Sequence, residues 1–441
     1  MSPAVQIGRE YALQRHPDTQ RRPETNGRLD VPGPRLGSFP AAQLPPAPLP
    51  VAPPAPDAPS GVIKFQTPEV VFGPESLAES GFAARRIGAQ RPFVVTDPGL
   101  IEAGWAGELL KYLAEVGLQP TVWSGVTPNP KDVEVAEGYQ RYLESGCDVI
   151  IAIGGGSCID AAKGIAILIG NGGNILDYAG VDRVSRPIPP LLMIPSTAGT
   201  GADVSQFCII TDTASAVKVT IMGRALVPEI SVTDPRLLAT MPGDLAAATG
   251  LDALTHGIES YVSCAHNPLA DGHALNAVRL VFDNLPRIVD RGAQGERRDH
   301  MAQASLEAGM AFTNALLGAT HAMSHQVGGL LDLPHGVVNG VLLPHVIRFN
   351  AAFVPDRFVP LAEAAGLPVA GMLGEEAGNL LADRVRAIGD ELGVPRSLSE
   401  LGVRPENVPT LAQNALADAC LATNPRPVSR ADLDTLFRAA L

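Results

Sequence analysis

Three short apolar runs in the first half of the chain end in turn residues: FVVTD (93–97), DVIIAIGGGS (148–157) and PLLMIPST (190–197). Among them the spacing turns helical, as in GELLKYLAEVG (107–117) and KDVEVAEGYQRYLESG (131–146). Apolar strands that alternate with helices bury both faces as a parallel sheet covered by helices on each side. After about Pro242 the strand signal fades, and helical patterns such as AAATGLDALTHGIESYV and ALNAVRLVFDNLPRIV take over. The predicted division is a tail over 1–60, an α/β domain over 61–241 and an all-helical domain over 242–441. Two domains agree with a length of 441 residues, which is long for a single core.

A net charge of −13 argues against nucleic acid, whose phosphates call for clustered Lys and Arg. The five cysteines are scattered and form no C-x-x-C pair, so neither a disulfide framework nor a zinc ribbon is expected, and a reducing cytoplasm fits best. No apolar run approaches the roughly 18 residues that span a bilayer, and the charged N-terminal stretch has no signal core. No membrane partner is expected. The segment PPAPLPVAPPAPDAPSG closes a tail that reads as disordered or polyproline, a tether or a dispensable extension.

Gly154, Gly155, Gly156 and Ser157 stand between an apolar strand run and a helix expected from around Ile159. Backbone without Cβ can approach a pyrophosphate closely, and the helix N-terminus points N–H groups at it. The spacing is not G-x-G-x-x-G, and the acidic candidate for the ribose, Asp97, precedes the turn instead of following it. A second small-residue turn, PSTAGTGADVS, again follows a strand, with hydroxyls on Ser196, Thr197, Thr200 and Ser205 that could line the same crevice. Open α/β sheets bind ligands along that edge.

Asp252 and His256 are four apart on a helical pattern, as are His321 and His325, so each pair emerges from one helix face. His335 follows in a PHG turn. One such pair is most simply a surface charge and a core histidine; two pairs beside a third histidine read better as a metal site. Imidazole and carboxylate ligands suit Fe(II), Zn(II) or a neighbouring divalent ion, and such sets commonly leave a position open for substrate, which points to a catalytic site.

Together these motifs resemble the iron-containing, or group III, alcohol dehydrogenase family. The resemblance runs from about Ile63 to the C-terminus and rests on TPNP, AIGGGSCIDAAKG, PSTAGTGADVS, GLDALTHGIE and HAMSHQVGG…PHGVVNGVLLPHVIRFN. It implies the dehydroquinate synthase-like fold, an N-terminal dinucleotide-binding α/β domain and a helical C-terminal domain with the active site between them. It makes Asp252, His256, His321 and His335 the metal ligands and His325 a cleft histidine near the nicotinamide, a proton relay. The glycines between the histidines would let the chain turn from helix to loop. For the cofactor it implies Asp97 at the adenosine ribose, Asn129, Gly155, Gly156 and Ser157 at the pyrophosphate, and Ser196, Thr197, Thr200, Ser205 and Lys218 around the rest. A carboxylate at Asp97 would repel a 2′-phosphate and favour NAD over NADP. Ser196 stands where Thr is common and Asp203 where Glu is common; both keep the chemistry.

The expected reaction is the reversible oxidation of a small primary alcohol to its aldehyde, with NAD and one divalent metal, Fe(II) before Zn(II), in a homodimer or larger homo-oligomer. Phe207, Phe312 and Leu317 line an apolar pocket or simply pack the core. A polyol dehydrogenase or maleylacetate reductase shares the architecture, but an acidic substrate needs cations that LLGATHAMSHQVGGLLDLPHG lacks. The same poverty disfavours a dehydroquinate synthase-like lyase. A metallohydrolase leaves both glycine turns unexplained, and a non-catalytic binding protein leaves the open ligand set unexplained.

Overall fold

The strand runs of the first half do form a parallel sheet. The structure, a computed structural model, describes residues 63–291 and 295–441, so the predicted tail over 1–60 lies outside the described residues. Nine strands, β1 (Glu69–Phe72), β2 (Pro92–Val95), β3 (Thr121–Trp123), β4 (Val149–Gly154), β5 (Gly180–Val181), β6 (Leu191–Pro195), β7 (Phe207–Asp212), β8 (Val217–Met222) and β9 (Ile230–Thr233), are described. Five helices lie among them, α1 (Ser80–Arg86), α2 (Pro98–Glu102), α3 (Trp105–Glu115), α4 (Asp132–Ser145) and α5 (Gly156–Asn171). The main sheet has the order β1-β9-β6-β4-β2-β3, and all its pairings are parallel.

Period-two alternation decides which helices cover which face. Val94, Ile151 and Ile153 pack with Leu109 and Leu113 of α3 and Ala83 of α1. Phe93, Val95, Ile150 and Ala152 face the other way, onto Tyr142 of α4 and Ile159 and Ala162 of α5. Register then sets the site: Gly154 pairs with Pro195, so the glycine turn and the PSTAGTGADVS turn leave the sheet side by side.

The sequence reading did not anticipate the antiparallel hairpin β7–β8, which forms a separate three-stranded sheet with β5. Beyond β9 the described elements are helical: α6 (Gly243–Val262), α7 (Pro268–Arg291), α8 (Glu296–Ala315), α9 (Ala319–Leu331), α10 (His335–Ala351), α11 (Phe358–Ala364), α12 (Gly374–Glu391), α13 (Val408–Ala415) and α14 (Arg430–Ala439), with short 3-10 turns. α6 is the core of this half. Every residue from Gly250 to Val262 is buried, so a helix that carries Asp252, His256 and Glu259 has no solvent face on which to hide them. Among the described residues, no helix is long and apolar enough to cross a membrane.

Candidate metal centre and dinucleotide cleft

Three histidines converge on one carboxylate oxygen. Oδ1 of Asp252 lies 3.8 Å from Nε2 of His256, 3.6 Å from Nε2 of His321 and 3.8 Å from Nε2 of His335. The donor atoms of Asp252, His321 and His335 all lie within 4.8 Å of one another. The opposite nitrogen of each ring faces the protein. Nδ1 of His256 is 3.2 Å from Gly199 O, Nδ1 of His321 is 2.7 Å from Glu259 Oε2, and Nδ1 of His335 is 3.4 Å from Ser324 Oγ. Anchored Nδ1 atoms turn three Nε2 atoms toward one point, as metal-ligating histidines require. Asn339 adds an N–H to Asp252 Oδ1 at 2.8 Å.

The electrostatics agree. Burial opposes ionisation of Asp252, but the surrounding imidazoles hold its carboxyl well below the usual range. Burial pushes His256 down to about 4 and His335 well below its ordinary value, which keeps both neutral. Burial also disfavours charge on His321, yet its hydrogen bonds to Asp252 and Glu259 outweigh that and raise it to about 9. A cation is therefore favoured at this point. A three-histidine, one-carboxylate donor set with fixed tautomers fits a divalent transition metal.

Each of these residues is placed by a local feature. Glu259, one helical turn beyond His256, accepts from the N–H groups of Gly318 at 3.1 Å and Thr320 at 2.6 Å, so it satisfies the start of α9 as well as the ring of His321. His335 opens α10 directly after Pro334. Beside it, a Cβ on Gly336 would lie 1.8 Å from Ala248 O and 3.2 Å from Asp252 Cβ, so only glycine lets α10 sit against α6. The chain reverses at Asp332, which has φ 52°, and not at the glycines between the histidines. Gly328 and Gly329 stay inside α9, where a Cβ would lie 3.3 Å from Lys218 Nζ and 2.9 Å from Ala216 O. Their bareness brings α9 against the β7–β8 hairpin.

His325 sits apart from the four. Its ring stacks on His335 with centroids 5.2 Å apart, and its Nδ1 is 2.9 Å from Asp418 Oδ2. Phe207, Phe312 and Leu317 come together in one small buried cluster with Met222, Ala322 and Cys420, and Phe312 stacks on His256 at 4.3 Å. Phe312 thus brings this apolar cluster against the His256 imidazole.

The cofactor candidates gather at the sheet edge. Asp97 caps α2, with Oδ1 accepting from Leu100 N–H at 3.0 Å and Oδ2 from the Cys158 thiol at 3.2 Å. Asn129 N–H donates to Ser157 Oγ at 3.2 Å, and Ser196 N–H to Gly154 O at 2.9 Å. Thr197 lies over Gly155 and Thr200 over Gly156; a Cβ on these glycines would come within 3.2 and 2.6 Å of their methyl groups. Ser205 is the exception. It is buried, its hydroxyl 3.4 Å from Lys163 Nζ, so it faces the protein interior. Lys163, fully buried on α5, donates to the carbonyls of Ala202 at 2.7 Å, Ser205 at 2.7 Å and Phe207 at 2.8 Å.

Residues 67–235 match the family described as iron-containing alcohol dehydrogenase, and residues 246–441 match the C-terminal part of the Fe-containing alcohol dehydrogenase family. The chain belongs to the iron-containing alcohol dehydrogenase family. It is 40% identical over 371 residues to the 1,3-propanediol dehydrogenase of Citrobacter freundii, covering 84% of this chain and 96% of the relative. It is 37% identical to the NAD-dependent methanol dehydrogenase of Bacillus methanolicus, over 86% of this chain and 99% of that one. A crystal structure of 1,3-propanediol oxidoreductase superposes with a TM-score of 0.83 at 38% identity, covering 86% of this chain and all of the other.

Four supporting residues of this family member escaped the sequence reading. Glu259 had a usable signal, since Asp252, His256 and Glu259 share one face of a helix. Asn339, four residues after His335 on α10, had a weaker one. Lys163 and Asp418 had none beyond a lysine in an apolar helix and one of several aspartates near the C-terminus.

Proposed function

We propose that this chain is a metal-dependent, NAD-dependent alcohol dehydrogenase that interconverts a small primary alcohol and its aldehyde. The observation that carries the reading is the convergence of three Nε2 atoms on Asp252 Oδ1, in a chain whose relatives include the two alcohol dehydrogenases named above. A divalent metal, Fe(II) before Zn(II), held by Asp252, His256, His321 and His335 would supply Lewis acidity toward the alcohol oxygen, and NAD would supply the hydride acceptor.

The chain's own residues do the rest. Asp418 keeps the proton on Nδ1 of His325, so Nε2 can accept the proton that leaves the alcohol. Phe207, Phe312 and Leu317 exclude water from one side of the centre and accept a short alkyl chain. Gly155, Gly156, Ser157, Thr197 and Thr200 cradle the pyrophosphate, Asn129 and Lys218 complete the cleft, and Asp97 receives the adenosine ribose and favours NAD over NADP. Ser196 and Ser205 belong to the same loop and shape it from behind.

The division at residues 241 and 242 is supported by the last strand ending at Thr233 and α6 starting at Gly243. A cytoplasmic homodimer or larger homo-oligomer completes the proposal; five free thiols support a reducing compartment.

The test is reduction of NAD with a panel of small alcohols and diols, on protein stripped of metal and reloaded separately with Fe(II) or Zn(II). Turnover that requires metal and collapses in His256→Ala is expected. Absence of turnover with either metal, while NADH still binds, would refute alcohol oxidation.

A further inference from the structure

The cleft has a polar link that the metal centre does not use. Asn129 and Asp332 have φ of 55° and 52°, left-handed backbone that non-glycine residues adopt seldom and Asn and Asp most readily. Their side chains meet across the cleft: Asn129 Nδ2 donates to Asp332 Oδ1 at 2.6 Å, and Asn129 Oδ1 accepts from Lys218 Nζ at 2.7 Å.

The order carboxylate, amide, ammonium leaves the amide one way to turn. Its nitrogen must face Asp332 and its oxygen Lys218, because neither charged group can serve the opposite end. Lys218 is 7% exposed. Burial lowers it to about 8, and Asp332 is the largest of the charges that oppose that fall. An ammonium has three donors, and among the described residues its hydrogen-bond partner is Asn129. Asn129 and Lys218 come from the α/β half, whereas Asp332 ends α9. Gly328 and Gly329 hold that helix against the hairpin that carries Lys218.

We infer that Asp332 is a cofactor-positioning residue, which acts from the helical half by turning the Asn129 amide and, through it, holding Lys218 toward the bound dinucleotide. This rests on the proposed placement of Asn129 and Lys218 in the NAD site.

NADH dissociation constants for the metal-loaded enzyme, Asp332→Ala, Asp332→Asn, Lys218→Ala and the double variant Asp332→Ala/Lys218→Ala test it. Asp332 is exposed, so its substitution leaves the core intact, and any strain of Ala at the left-handed φ would add to the Lys218→Ala loss in the double variant instead of vanishing in it. Asp332→Ala is expected to weaken NADH roughly three- to thirty-fold, and the double variant to bind no worse than Lys218→Ala alone. Asp332→Asn, which keeps an acceptor oxygen for Asn129, recovers most of the loss. Losses that multiply in the double variant, or Asp332→Asn as weak as Asp332→Ala, overturn the route through the amide. Normal binding by Asp332→Ala beside weakened Lys218→Ala overturns the inference and leaves the NAD site standing. Normal binding by both removes Lys218 from the site, and the inference with it.

Discussion

Oδ2 of Asp418 lies 2.9 Å from Nδ1 of His325, 93 positions away in the chain. The carboxylate is itself held, by Gln326 Nε2 at 3.3 Å and by the N–H of Cys420 at 2.9 Å. With the ring proton committed to Asp418, the lone pair of His325 falls on Nε2. Asp418→Asn lets the tautomers exchange, and kcat/KM for alcohol oxidation should fall roughly 10- to 100-fold with metal content unchanged. Steady-state kinetics beside metal analysis checks this; wild-type kcat/KM would remove His325 from proton transfer.

Glu259 holds the Nδ1 side of His321, 2.7 Å away, and leaves its Nε2 to the proposed metal. Replacing its charge with an amide in Glu259→Gln weakens the hold on His321 Nδ1, and divalent metal affinity should drop about 10- to 100-fold. Competition with a chromophoric chelator measures it. Affinity equal to wild type would mean that His321 is oriented by packing alone.

Metal uptake should depend on pH through His321. In the metal-free protein its pKa is raised to about 9, so the protonated ring is favoured below that value and a metal must displace the proton. Apparent affinity therefore climbs as pH rises toward about 9 and levels off above it. His256, lowered to about 4, is already neutral across this window and adds nothing to the slope. Calorimetric titrations in buffers of different ionisation enthalpy would reveal the released proton; a flat profile contradicts the prediction.

Lys163→Met keeps the volume of the side chain but strips three buried carbonyls of their donor. Each unsatisfied group costs about 1–3 kcal/mol, so a loss of about 3–9 kcal/mol in unfolding free energy is expected. Denaturant melts decide it. A loss below about 1 kcal/mol would show that the carbonyls find another partner on their own.

The parallel sheet was readable because fully buried strands appear as continuous β-branched runs between helical periods, as β4 does. Helical spacing marked Asp252 with His256 and His321 with His325, and the structure keeps the first pair together but turns His325 away to Asp418; the grouping of Asp252, His256, His321 and His335 was implied by the family resemblance. The β7–β8 hairpin was not, since FCIITD and VKVTIM alternate only partly between buried and half-buried positions. Asp418 caps a short 3-10 turn, Ala419–Thr423, with no period to flag it, and its partner is remote in the chain. Lys163 contradicts its own residue type: a lysine usually marks a solvated face, and only the apolar residues on all sides of α5 hint that this one is enclosed.

The contact of Gly336 with the backbone of Ala248 works as a mechanical stop. The helices that bear Asp252 and His335 meet through main-chain atoms, which no exchange of core side chains can make larger or smaller. A substitution deeper in the bundle therefore acts on the spacing of Asp252 and His335 only by way of this backbone contact's neighbours, not by filling the contact itself. At this one point the candidate site is framed by main chain, whose dimensions no side-chain replacement can alter.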